Sequence, residues 1–142
     1  MPDNETILHE WFDQVWNQKD TALIDELMTD ETKHHGLAGP DGGAITGLDN
    51  FKGFHQAFLN AFPDLHVEVN DVVMEGDKIA ARCTVTGTHL GDGLGFAPTG
   101  KKVRFTGGGI CHMKDGKFTE IWNEYDFMKM HADLGTLVLN LG

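Results

Sequence analysis

The chain has 142 residues, enough for one domain that buries roughly 70% of its unfolded surface. Hydrophobic residues make up 40% and charged residues 23%, an ordinary balance for a soluble globular protein. A formal charge of −11 argues against nucleic acid and anionic membrane as partners, because both reward clustered lysine and arginine. No apolar run approaches the ~18–20 residues of a membrane span. The start, MPDNETILHEWF, lacks the basic opening and apolar core of a signal peptide. Cys83 and Cys111 each sit inside a strand-like run, so a reduced, cytoplasmic setting with two small buried thiols is expected.

Residues 6–18 place Ile7, Leu8, Trp11, Phe12, Val15 and Trp16 on one face of an amphipathic helix, with Asp3 or Asn4 as its cap. Asp20 then caps a shorter helix over 21–28, which turns Leu23, Ile24 and Leu27 inward. A short strand is expected over 30–35 and a glycine-rich loop over 36–47. Residues 48–62 read as a third helix, with Phe51, Phe54, Phe58 and Phe62 at spacings of three and four, and Pro63 stops it. From Leu65 the period becomes that of strands: 65–75 and 78–89, joined at Gly76-Asp77. A loop rich in glycine and proline covers 90–101. A long hairpin over 103–126 follows, and 127–134 forms a short last helix. Helices first and a long antiparallel meander afterwards make an α+β domain over 1–142, with no internal repeat or linker.

The hairpin is the stretch on which the rest is organised. Its strands flank the turn dipeptide Asp115-Gly116, and three successive glycines, Gly107, Gly108 and Gly109, interrupt the first strand. A two-residue loop pairs Lys114 with Lys117; a three-residue loop with Gly116 left-handed pairs Met113 with Lys117. The second is favoured, because it groups Gly107, Gly109, Cys111, Thr119, Ile121, Asn123 and Tyr125 on one face, with room for a ligand opposite Asn123. Ile110, His112, Phe118, Glu120, Trp122 and Asp126 then share the other. An aromatic helix facing a sheet that carries glycines implies either close packing or an apolar cavity.

Several motifs in order resemble the SnoaL-like polyketide cyclases, within the wider group of nuclear-transport-factor-2-like and ketosteroid-isomerase-like domains. The most specific are Gly87-Thr88-His89-Leu90-Gly91 and Gly95-Phe96-Ala97-Pro98-Thr99-Gly100-Lys101. Ala61-Phe62-Pro63-Asp64-Leu65, Glu75-Gly76-Asp77-Lys78 and Asp115-Gly116-Lys117 support them. The resemblance implies a cone-shaped α+β barrel, in which a strongly curved, mostly antiparallel sheet wraps a long N-terminal helix and two further helices around a deep apolar pocket. It also implies a homodimer formed through the sheet. Such cyclases close a ring by aldol condensation, without metal or cofactor, using an acid on the last long strand. A carboxyl in an apolar cavity has its pKa raised toward the working pH, where it exchanges protons best. Here that position falls on Asn123, whose amide can hydrogen-bond an oxyanion but cannot take a proton. By the same resemblance Trp16 and Phe54 shape the pocket.

Other groups compete for the missing role. Asp126 either replaces the acid or caps the last helix. Of His34 and His35 only one can face inward, and His35 is taken as that residue and as a proton carrier. His89 either lines the pocket or fastens the loop after it, and Phe58 and Tyr125 join the substrate-binding set. Glu120, Trp122 and His112 read as sheet-face or dimer contacts. The stretch GFAPTGKK copies a phosphate-binding loop only superficially, since it lacks the final Ser or Thr and leads into a strand. The eight histidines show no ligand spacing, so no metal site is expected. The expected function is proton-transfer chemistry on an apolar, carbonyl-bearing small molecule, cyclisation or isomerisation, with Asn123 as hydrogen-bond donor and Asp126 or His35 moving the proton. The alternatives are a binding protein that has lost the acid, and a structural dimerising domain whose hollow is filled by its own rings.

Overall fold

The computed structural model describes residues 3–37 and 42–138, so part of the expected loop, 38–41, lies outside the described residues. Helix α1 (Asn4–Glu10) begins where the Asp3 carboxylate accepts from Thr6 N at 2.8 Å. It runs on into a π-helical stretch, Trp11–Asn17. Bonding there passes to the fifth residue back, as in Gln18 N to Asp13 O at 2.9 Å. Residues five apart, Trp11 and Trp16, thereby share the inner face. The Val15 carbonyl is taken by buried His55 Nε2 at 2.6 Å. At the end of this stretch Asn17 docks like a fragment of strand, giving to Val67 O at 2.9 Å and accepting from Val67 N at 2.7 Å.

Helix α2 (Ala22–Leu27) starts with Asp20 accepting from Leu23 N, as the sequence indicates. The strand expected over 30–35 is confined to β1 (Lys33–His35), and β2 (Ile45–Thr46) pairs with it antiparallel. Helix α3 (Leu48–Ala61) buries Phe51, His55 and Phe58. After it come β3 (His66–Glu75), β4 (Lys78–Thr88), β5 (Lys102–Lys114), β6 (Lys117–Tyr125) and α4 (Phe127–Leu134). The sheet runs β2-β1-β6-β5-β4-β3, antiparallel except where β1 lies parallel to β6. It is curled and open, and its inner face packs on the helices, giving the cone-like α+β fold expected. Helix α4 is tied to β5 through Arg104 N to Asp133 and Lys129 Nζ to Arg104 O. No helix among the described residues is long and apolar enough to cross a membrane.

The hairpin brings Asn123 and Tyr125 to the expected inner face by a different route, and it reverses two residues: Phe118, expected outside, is buried, and Thr119, expected inside, is exposed. Asp115 and Gly116 both have positive φ, 52° and 76°, and Lys114 pairs with Lys117: a two-residue turn. The extra residue comes one step later, between the pairs Met113–Phe118 and His112–Glu120, where Thr119 is set out to solvent. Phe118 and Ile121, three apart, are therefore both buried, at 0% and 4% exposure. Beyond the bulge Asn123 pairs with Gly109 and Tyr125 with Gly107.

The three glycines do not leave the open space expected of them. A Cβ at Gly107 would overlap the Tyr125 ring, one at Gly108 the Ala81 carbonyl, and one at Gly109 would stand 2.7 Å from Trp122 O. The glycines let β5 bend against its neighbours, and Tyr125 lies across the place where a side chain would be.

Candidate functional site

Between the aromatic face of the helices and the inner face of the sheet lies a slot of about 510 Å³ of atom-free space, open mouth included. Only about 60 Å³ admits the centre of a water molecule, so it is a cleft between rings and not a roomy chamber. Trp11, Phe12 and Trp16 come from the first helix, Phe51, Phe54 and Phe58 from α3, and Phe105 and Phe127 from the opposite side. Trp16 meets Phe54 and Phe58 edge-on, each centroid 6.2 Å away at 78° and 88°. Trp16, Phe54, Phe58 and Tyr125 thus stand in the wall, where they were expected. A packed aromatic surface of this shape favours a flat apolar guest.

Polar groups on the wall are few. Asn123 faces the slot, and its Nδ2 donates to His35 O at 2.9 Å. This contact needs Gly36, whose φ is 85° and whose missing Cβ would run into the Asn123 carbonyl. His34 is 1% exposed and stacks on Phe51 at 4.1 Å and 19°. Burial, then the neighbouring His35, pulls its pKa down to about 3, so the ring is neutral at ordinary pH. Burial, then the Cys83 thiol beside it, pushes the Tyr125 hydroxyl above its usual range. Burial raises Cys83 to about 11 and Cys111 to about 12, leaving both as un-ionised thiols at neutral pH. No carboxylate and no lysine or arginine lines the slot among the described residues.

Three expected site residues stand elsewhere. His35 points to the opposite face of the sheet, where Nε2 meets Glu120 Oε2 at 2.6 Å and the ring stacks on Trp122 at 5.3 Å. The parallel pairing of β1 with β6 sets this parity: His34 stands beside inward Ile121, and His35 beside outward Trp122. Asp126 is the N-cap of α4, accepting from Lys129 N at 2.9 Å, and does not reach the slot. His89 is fully buried, and its Nδ1 accepts from Thr99 N at 3.0 Å. It fastens the following loop, together with the backbone bonds His89 N to Lys101 O and Gly100 N to His89 O. His34 is the polar site residue missed in the sequence, and Trp11, Phe51, Phe105 and Phe127 join the wall beyond the expected set; only the long-range pairing with β6 distinguishes His34 from its neighbour.

A buried histidine with a lowered pKa makes folding sensitive to acid. The unfolded chain takes up the proton below about pH 6.5, and the native state does not until about pH 3 at His34. Stability present above pH 6.5 is therefore expected to fall with pH, by up to about 1.4 kcal/mol per pH unit from this group. His55 and His89, lowered mainly by burial, act with the same sign. Urea unfolding of wild type and His34→Phe from pH 7 to pH 4.5 should show a shallower slope for the variant; parallel slopes would refute the assignment. Asp126→Ala is expected to remove about 1 kcal/mol of stability and Asp126→Ser very little, both leaving ligand retention intact. Lost retention at unchanged stability would return Asp126 to the site.

Comparison with known proteins agrees with this architecture. A candidate SnoaL-like polyketide cyclase from Jannaschia sp. CCS1 superposes with a TM-score of 0.84 at 23% identity, over 95% of this chain and 93% of that one. AclR of Streptomyces galilaeus, a candidate hydroxylase, gives a TM-score of 0.81 at 27% identity over 95% and 86%. IdmH of Streptomyces antibioticus, a candidate polyketide cyclase, gives 0.77 at 27% over 92% and 97%. No curated protein matches the chain in sequence. The family model for SnoaL-like polyketide cyclases matches residues 6–134, and the chain belongs to that family.

Proposed function

We propose that the protein takes a flat, largely apolar, oxygen-bearing small molecule into the slot and promotes its ring closure or isomerisation. One observation carries this reading: an open cleft walled by Trp11, Trp16, Phe54, Phe58 and Phe105, with His34 and Asn123 set among the rings. Family membership and the likeness to IdmH, a candidate polyketide cyclase, point the same way. The chemistry such a wall lends is mainly orientation: rings that fold a flexible chain and exclude water bring reacting carbons together. Asn123 cannot move a proton, and His34 with a pKa near 3 is a weak base. Binding without turnover is the second reading, favoured by the lack of a carboxylate on the described wall.

Incubating the purified protein with a metabolite extract, then identifying what is retained and what is converted, tests both readings. Wild type should retain a flat oxygenated compound, and Val85→Phe, which puts a ring into the slot, should weaken retention by roughly tenfold or more. Equal retention by that variant places the ligand elsewhere. Retention with no converted product leaves the second reading alone.

We also propose that two copies associate through the outer face of the sheet. Cross-strand pairing lines up His35, Trp122, Ile110, Ala80 and Val73 in one row across five strands. Ile110 is 50% exposed and Val73 69%, an apolar band too open to be core. Sedimentation should find a dimer that Ile110→Lys converts to monomer. A monomeric wild type would sink this proposal.

A further inference from the structure

The polar atoms that the seam between β1 and β6 turns toward a ligand follow from the partners those side chains already have. His34 Nε2 lies 3.4 Å from Met28 Sδ. A thioether sulfur only accepts, so Nε2 carries the ring hydrogen and Nδ1 keeps its lone pair. Among the described residues nothing donates to Nδ1. The ring is held in place by Phe51 at 4.1 Å and Trp11 at 5.8 Å, both nearly parallel to it. Asn123 is fixed by the same kind of reasoning. The His35 carbonyl only accepts, so the NH2 end of the amide is the end that faces it. The oxygen is left over Gly109, 3.6 Å from where a Cβ would stand. Two neighbouring strands therefore present two acceptors, on a wall where the described residues supply no charge.

We infer that this slot selects a ligand by a donor: an aromatic ring whose phenolic hydroxyl lies at the β1–β6 seam and gives its hydrogen to His34 Nδ1. The inference rests on the slot being a small-molecule site and names the group that site recognises. A carbonyl or ether oxygen in the same place faces two lone pairs with no hydrogen between them, and each stays unpaired in a dry setting. A hydroxyl satisfies at least one of them. The neutral state of His34 supports the same arrangement, because a protonated ring would offer a second hydrogen instead of a lone pair.

Three probes of nearly one shape separate the possibilities: naphthalene, 2-naphthol and 2-methoxynaphthalene, titrated calorimetrically into the full chain. 2-Naphthol should bind at least ~10-fold more tightly than the methyl ether, about 1.4 kcal/mol. His34→Phe keeps a flat ring against Phe51 and Trp11; it should cut that ratio several-fold and leave naphthalene binding in place. Equal affinities for naphthol and ether in wild type overturn the inference, whether or not the variant folds, and so does a ratio unchanged in a folded His34→Phe. In either case naphthalene binding leaves the small-molecule slot standing. Failure of all three probes to bind removes the slot reading and this one together.

Discussion

The bond from Asn123 Nδ2 to the His35 carbonyl holds together more of this site than any other single contact. It ties the three-residue strand β1 to the far end of β6, across a gap that closes only because Gly36 has no side chain. Once β1 is seated parallel to β6, alternation does the rest. His34 turns into the aromatic wall, and His35 turns out to Glu120 and Trp122. The same bond orients the amide, so backbone seating and the polarity of the slot are one event and not two.

The opposite wall depends on the helix. An ordinary α-helical turn brings residues three and four apart together; the π-helical stretch Trp11–Asn17 brings together those five apart. Two indoles stand over α3 as a result, each within 6.1 Å of Phe51. Widening the coil also changes which carbonyls are satisfied within the helix. His55 accounts for the one at Val15, giving a buried neutral histidine a structural partner instead of a chemical task.

Much of this was legible in local pattern. The phenylalanines of α3 announce their face by spacing, and the alternation of β4, β5 and β6 assigns Asn123 and Tyr125 to the inner wall. What was not legible is what the chain settles over long range. His34 and His35 are equivalent in a strand of three residues until the register with β6 is known. The glycine triplet reads as empty space, yet Tyr125 lies over Gly107, and only pairing two strands shows it. Asp126 and His89 each carried a structural and a chemical reading. Both proved to be satisfying backbone N–H groups, the commoner use of such side chains at helix starts and loop ends.

The bulge at Thr119 has an evolutionary consequence for the wall beyond it. Strand faces alternate with strict parity, and the bulge lets β6 carry one residue more than β5 matches without exchanging anything beyond it. With Thr119 present, an amide and a phenol look inward while an indole and a carboxylate look out. Without it, the pair Met113–Phe118 would be followed directly by His112–Glu120 and the same pairs would continue, so the same side chains would look inward. A residue lost at this point is absorbed locally, and the wall beyond it changes only when its own side chains are substituted.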